Sequence, residues 1–324
     1  EGLVENYYSN GSIEKQKNFT TSKLDGSRTT YYTTGGKEMV QNYKMGVQEG
    51  KELSYYQNGK LKYEIDVVAG KYQGPLVQYY SNGHLMEKST FKDGFRSGKY
   101  QNYYNYPENT LKIEVSYEKG TLVGEYKSYY RNGKVEDVGS YNKSGEKDGV
   151  WKNYFDTGTL YSEETFSNGK LTATSKYYEI SGKLIEEFIY KNDILQEYIA
   201  YDLNGKVVYQ NKKDGKNNYD ANLYYANGNK KREGKSETDY SAGETNGYYR
   251  KYYNNGKLNM EGAYILDKEI GEWKTYYMNG KLEDLNFYND GNLDGWQQYF
   301  AINGKLFYEE FYELGYVKKR VFYD

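Results

Sequence analysis

Three pairs of neighbouring carboxylates, Glu163–Glu164, Glu186–Glu187 and Glu309–Glu310, are the nearest approach in this sequence to an acid–base couple. Hydrolysis of a glycosidic bond needs two carboxyl groups facing that bond from either side. Each pair lies in a run that alternates like a β-strand, where neighbours point to opposite faces. No pair is therefore expected to share a substrate, although carboxylates from different segments can still converge. His84, in SNGH, is the one histidine, too few for a histidine-based triad beside a metal site. It stands where sister motifs carry lysine and reads as a turn residue. Asn289–Asp294 (NDGNLD) offers oxygen ligands but lacks the spacing and the terminal glutamate of a calcium loop. Gly94–Lys99 (GFRSGK) has three residues rather than four between its glycines and no Ser or Thr after the lysine, so it departs from a phosphate loop. The absence of cysteine removes disulfides, thiolate ligands and thiol nucleophiles. No catalytic residue, cofactor or metal is expected, and no enzymatic activity. A carbohydrate-active or lytic enzyme is the remote alternative.

The chemistry that is abundant is that of tyrosine: 45 of 324 residues. Tyr55, Tyr79, Tyr103, Tyr129, Tyr154, Tyr177, Tyr252, Tyr276 and Tyr299 recur in phase and are expected to line one face as a binding strip for a protein partner. Tyrosine gives large contact area with a polar tip at little entropic cost, which is why interfaces favour it. The competing expectation is that the rings simply cover the sheet and one another. Base stacking also uses such rings but needs a basic groove. With 44 basic and 46 acidic residues and a net charge of -2, no nucleic-acid partner is expected. Carbohydrate stacking stays open.

These residues are placed by a repeated unit. YYxNGK occurs at Tyr55, Tyr129, Tyr252 and Tyr276, with near copies at Tyr7, Tyr79 and Tyr224. Tyr8, Tyr32, Tyr56, Tyr80 and Tyr104 step by 24 residues, and the same phase runs on to Tyr323. A motif written many times at fixed spacing is a building unit. Asn-Gly between alternating runs predicts a hairpin whose two central residues both have positive φ. Glycines four apart, such as Gly46/Gly50 and Gly291/Gly295, mark the link to the next hairpin. Two strands and two turns fill each unit and leave no room for helix. One face is expected to carry a ring, a small polar residue and a ring: Trp273, Thr275, Tyr277, or Trp151, Asn153, Phe155. It should also receive Leu160 and Phe166, Leu85 and Phe91, Leu258 and Tyr264. The other face carries the first tyrosine of each pair with Lys and with Glu64, Glu114, Glu163, Glu187, Glu261 and Glu309, set for cross-strand pairs.

Composition agrees. Mean hydropathy is -1.05, so the core must be thin and aromatic, while 18% aromatic residues argue against disorder. The reading is an all-β sheet of about thirteen tandem hairpins spanning residues 1–324. The regularity loosens at Tyr103–Lys112, which holds a proline, and over 211–247, a possible boundary between arms 1–210 and 248–324. No apolar run reaches the ~20 residues of a membrane-spanning helix. The chain begins at Glu1, as expected of a processed or trimmed product whose leader or anchor would be out of view.

In YYxNGKL, the spaced glutamates and the Gly-x-Trp lead-ins Gly149-Val150-Trp151 and Gly271-Glu272-Trp273, the chain resembles the MORN repeat family, most of all the bacterial MORN-variant form, some members of which are antitoxin-like. The resemblance covers about residues 3–323 and weakens near Ala173, Glu197 and Ala221, where Gly-x-Trp is lost. It implies an elongated, twisted, single-layer antiparallel sheet and a scaffold or protein-binding role with no shared catalytic residues. A binding scaffold at the cell surface or in the periplasm is the expected function. An antitoxin or immunity protein that occludes a toxin, in the cytoplasm, is the alternative.

Overall fold

A computed structural model describes residues 2–106, 109–214, 219–236, 246–313 and 315–323. Every regular element among them is a β-strand, and the pairings are antiparallel, joining strands next to each other in sequence or separated by one two-residue strand at a link. The chain separates into two compact units, Glu1–Lys170 and Leu171–Asp324. In the first, Lys71–Tyr79 lies between Leu61–Val68 and Leu85–Lys92. In the second, Lys268–Tyr276 lies between Leu258–Ile265 and Leu282–Asn289. The strands do not close into a barrel: Gly2–Tyr7 and Tyr316–Phe322 each pair with one strand among the described residues. The proline of the irregular turn, Pro107, lies outside the described residues, as do 215–218 and 237–245. The described parts of 211–247 are strands joined by a turn at Gly228 like those of the other repeats. Val207–Lys213 pairs in unbroken register with Tyr219–Tyr224, and Tyr219 is buried.

The turns differ from expectation in an instructive way. At Asn-Gly only the glycine has positive φ: Gly59 is at +80°, and Asn58 is not among the positive-φ residues. The loop is one residue longer than a two-residue hairpin turn. The Gly59 N–H donates to Tyr56 O (2.8 Å) and the Tyr56 N–H to Lys60 O (2.8 Å), which is a type I turn completed by a left-handed glycine. Loops with two positive-φ residues stand at the links instead: Ala69-Gly70, Asp93-Gly94, Asp290-Gly291, and Leu266-Asp267 without any glycine. Such two-residue loops carry the twist that adjacent strands need. The phosphate-loop-like GFRSGK and the calcium-loop-like NDGNLD are both such links, and Asp290 is paired with Lys268 at 2.7 Å.

Why the motif recurs is visible in its hydrogen bonds, which reach forward by one repeat. Tyr56 Oη donates to Tyr79 O (2.8 Å), Asn58 Nδ2 to Ser81 O (2.8 Å) and Lys60 Nζ to Asn82 O (2.5 Å). Tyr130, Asn132 and Lys134 do the same to Tyr154 O, Asp156 O and Thr157 O. So do Tyr277, Asn279 and Lys281 to Phe300 O, Ile302 O and Asn303 O in the second unit. Each copy satisfies backbone acceptors that the next turn leaves open. His84 takes the lysine's part, its Nδ1 lying 2.8 Å from Asn105 O. Tyr56→Phe is expected to lose about 1 kcal/mol in urea denaturation. Phe155, native at the same motif position, shows that the ring fits without the hydroxyl. Unchanged stability in a combined Tyr56→Phe, Tyr80→Phe variant would show these hydroxyls to be idle.

The ring face is the thin core. Trp151 packs against Tyr126 (5.3 Å between centroids) and Tyr141 (5.1 Å), and Trp273 against Tyr249 (5.7 Å) and Tyr264 (4.8 Å). Both indole N–H groups donate to backbone carbonyls, Ser140 O and Ala263 O. The expected ring-polar-ring order does not hold in every repeat. Glu52 occupies the tryptophan's place two residues after Gly50 and is buried. The leucines also depart from expectation. A bulge beside each tyrosine pair shifts the register by one, so Leu85, Leu160 and Leu258 stand across from Tyr79, Tyr154 and Tyr252 rather than in the ring stripe.

Candidate functional site: the tyrosine ladder

The face opposite the ring stripe is built from the residue just before each turn. Cross-strand partners share a face, so Lys127 opposite Glu114 and Lys274 opposite Glu261 fix which side the charges occupy. The ladder tyrosines join that side through the bulge. Tyr276 Oη donates to Glu261 Oε1 (2.8 Å), Tyr252 Oη to Glu233 Oε1 (2.5 Å) and Tyr103 Oη to Gln101 Oε1 (3.2 Å). Tyr55, Tyr79, Tyr129 and Tyr154 hold the same motif position and are half-buried. Their hydroxyls have no protein hydrogen-bond partner among the described residues.

Tyr177 and Tyr299 do not belong to this ladder. Tyr177 meets Phe188 edge-on at 5.5 Å, and Tyr299 stacks on its cross-strand partner Tyr308 at 4.2 Å. Phe188 pairs with buried Ser175, and Tyr299 pairs with Asp284, which itself faces Thr275 of the ring stripe. In these repeats the aromatic pair is shifted one residue toward the N-terminus relative to the turn. The turn itself is fixed by Gly182 and Gly304, whose N–H groups donate to Glu179 O and Ala301 O. The ladder position there falls to Tyr178 and Phe300. Counting back four residues from the turn glycine, instead of taking the first of each aromatic pair, finds these two and also Tyr201, which has no aromatic neighbour, beside Tyr31 and Tyr224, which open aromatic pairs of their own.

Charges on this face are largely cancelled in cross-strand pairs. Lys51 bonds Glu64, Lys99 bonds Glu114 (2.9 Å), Lys152 bonds Glu163 (3.1 Å), Lys176 lies 3.8 Å from Glu187, and Arg250 lies 3.2 Å from Glu261. Lys99 draws the Glu114 carboxyl below its ordinary value. Burial raises Tyr252 and Tyr276, and their carboxylate partners add to it, so both are pushed up to about 12. The adjacent carboxylates separate as alternation requires: Glu309 faces Gln298 and Tyr323, while buried Glu310 is held by Arg320 and Tyr312.

Two hollows open beside the ladder in the Glu1–Lys170 unit. One, of 340 Å³, is walled by Lys51, Leu61, Glu64, Val77 and Tyr79. The other, of 480 Å³, is walled by Lys127, Val135, Val138 and Tyr154. They are the same site in different repeats, because Leu61 and Val135 both follow Asn-Gly-Lys, and Tyr79 and Tyr154 are both the next ladder residue.

Seven stretches match the MORN repeat variant: 1–20, 48–68, 72–93, 122–143, 147–168, 245–265 and 269–290. The matched stretches contain the tyrosines at 55, 79, 129, 154, 252 and 276, so the ladder is part of the MORN unit itself. No curated protein sequence matches the chain. Among solved structures, the TcdB2-TccC3-Cdc42 crystal structure is 12% identical, at a TM-score of 0.19 over 96% of this chain and 18% of that one. A Tc holotoxin pore from Photorhabdus luminescens is 11% identical, at a TM-score of 0.17 over 94% of this chain and 19% of that one. The chain spans less than a fifth of either, and similarity at this level carries no argument about fold or partner.

Proposed function

We propose that this protein is a non-enzymatic binding scaffold whose ladder face receives another protein. One observation carries the reading: in the first unit a row of half-buried tyrosines presents hydroxyls that no protein group uses among the described residues, beside hollows repeated at equivalent positions. A sheet that used its tyrosines only as cover would close such positions, as Tyr252 and Tyr276 are closed by Glu233 and Glu261. Rigid aromatic side chains already half-ordered by the fold lose little entropy on contact. Charge pairing across strands keeps the surface soluble without a field that would select nucleic acid.

The test is affinity capture from the source cells with the native chain and with a Tyr79→Ser, Tyr129→Ser variant shown by circular dichroism to be folded. A defined protein that is retained by the native chain and lost from the variant supports the reading, and its identity decides between an envelope partner and a toxin. An identical set of captured proteins in both would overturn it.

A further inference from the structure

We propose that the ladder of the Glu1–Lys170 unit binds an uncharged, proline-rich segment in the polyproline II conformation, one helical turn per repeat. This rests on the protein-binding reading above and names the partner's chemistry. Successive ladder residues stand two strands apart, so at 4.7–4.9 Å per strand the rings recur about every 9.6 Å. A polyproline II helix has 3 residues per turn and rises 3.1 Å per residue, so one of its faces recurs about every 9.3 Å. From Tyr55 to Tyr154 the mismatch accumulates to only about 1.2 Å over four steps. Two turns of α-helix advance about 10.8 Å and slip by about 5 Å over the same ladder. A β-strand returns to the same side every second residue, at about 6.7 Å, and falls out of phase at once.

Hydrogen bonding points the same way. Polyproline II makes no internal hydrogen bonds, so its carbonyls need outside donors. The Tyr55, Tyr79, Tyr129 and Tyr154 hydroxyls are donors without a protein partner among the described residues, and the hollows at Tyr79 and Tyr154 offer a proline ring at those two rungs an aromatic wall beside Leu61 or Val135. Aromatic-lined grooves are the recurrent receptors of such helices. Charge complementarity selects an uncharged segment, because Glu64, Glu114 and Glu163 are neutralised by Lys51, Lys99 and Lys152. In the Leu171–Asp324 unit the Tyr201, Tyr224, Tyr252 and Tyr276 hydroxyls are already held by Glu187, Gln210, Glu233 and Glu261 and Phe300 has no hydroxyl, which breaks the row of donors there; from Tyr55 to Tyr154 the one rung held in this way is Tyr103, by Gln101.

Fluorescein-labelled oligoprolines of six, nine, twelve and fifteen residues, titrated with the full chain and read by anisotropy, test this. Affinity should rise severalfold with each three residues added. Tyr79→Phe and Tyr129→Phe should each weaken binding by roughly fivefold, as for one lost hydrogen bond, and Tyr252→Phe should change nothing. Absence of binding, affinity that ignores peptide length, or equal loss in Tyr252→Phe would overturn the proposal. So would binding of a β-1,4-linked glycan oligomer at Tyr79 and Tyr129 in place of oligoproline. If oligoproline fails while Tyr79- and Tyr129-dependent capture of a protein persists, the scaffold reading stands and this one falls. Failure of both experiments removes both.

Discussion

Gly139→Ala is expected to destabilise the Glu1–Lys170 unit by about 3 kcal/mol, the upper range for overpacking a tight core. The backbone there makes no demand for glycine, because Gly139 is not among the positive-φ glycines. The demand is spatial: a Cβ on Gly139 would lie 2.2 Å from Cδ2 of Trp151 and 2.4 Å from its Cε2. The indole cannot slide aside. It is 3% exposed, wedged against Tyr126 and Tyr141, tied through Nε1 to Ser140 O, and covered by Lys147 Nζ at 4.2 Å. The second unit repeats the device at Gly262, where the added atom would lie 2.2 Å from Trp273. Urea denaturation with near-ultraviolet circular dichroism of the tryptophans measures the loss. Because clash with one named ring is the cause, Trp151→Leu should relieve it: the double variant should be less destabilised than the two single losses added together, by about 1 kcal/mol or more. A neutral Gly139→Ala with an unchanged tryptophan spectrum would mean that Trp151 is not pressed against the strand beneath it, and that the core is looser than its ring contacts imply.

The hairpin array is legible in the sequence because period, turn glycines and strand alternation all agree at every repeat, and the strands at Gly50–Tyr55 and Lys268–Tyr276 fall where the motif puts them. Ladder membership is less legible. Tyr177 and Tyr299 look like first tyrosines because an aromatic residue follows each, yet the bulge and the turn are timed by Gly182 and Gly304, and alternation then sends both rings to the other face. The geometry of Asn-Gly is hidden for a related reason. The dipeptide alone does not state how many residues precede it in the loop, and in this chain the extra one moves positive φ onto glycine only. The forward hydrogen bonds of Tyr, Asn and Lys are not readable at all, since they join residues more than twenty positions apart whose contact depends on the stacking of turns.

Glu52 is the residue the sequence hides most completely, and its replacement is the other large expected effect. It sits at the place of Trp151 and Trp273 with 3% exposure, where a lone carboxylate would be prohibitively costly. Four neutral donors make it tolerable. Gln41 Nε2 (2.8 Å) and Gln48 Nε2 (2.6 Å) bond its Oε2, and Tyr63 Oη (2.8 Å) and Tyr72 Oη (2.7 Å) bond its Oε1. Burial pushes this carboxyl up, but the four bonds together pull it further down, so it sits below its ordinary value. The same contacts, after burial, raise Tyr63 and Tyr72. Glu52→Leu strands all four donors and should cost about 3 kcal/mol or more, each unsatisfied buried group accounting for about 1 kcal/mol or more. Glu52→Gln keeps the shape but offers an amide N–H to groups that donate, and should cost less. The sign with pH follows from the depressed value: the carboxylate's contribution is present above its unfolded pKa of about 4.3 and is lost as pH falls through the lower folded one. The stability gap between the native protein and Glu52→Gln should therefore be widest near neutrality and narrow below about pH 4. A gap that stays constant from neutral to acid pH would mean that the charge on Glu52 contributes nothing, and that Gln41, Gln48, Tyr63 and Tyr72 stabilise only a shape.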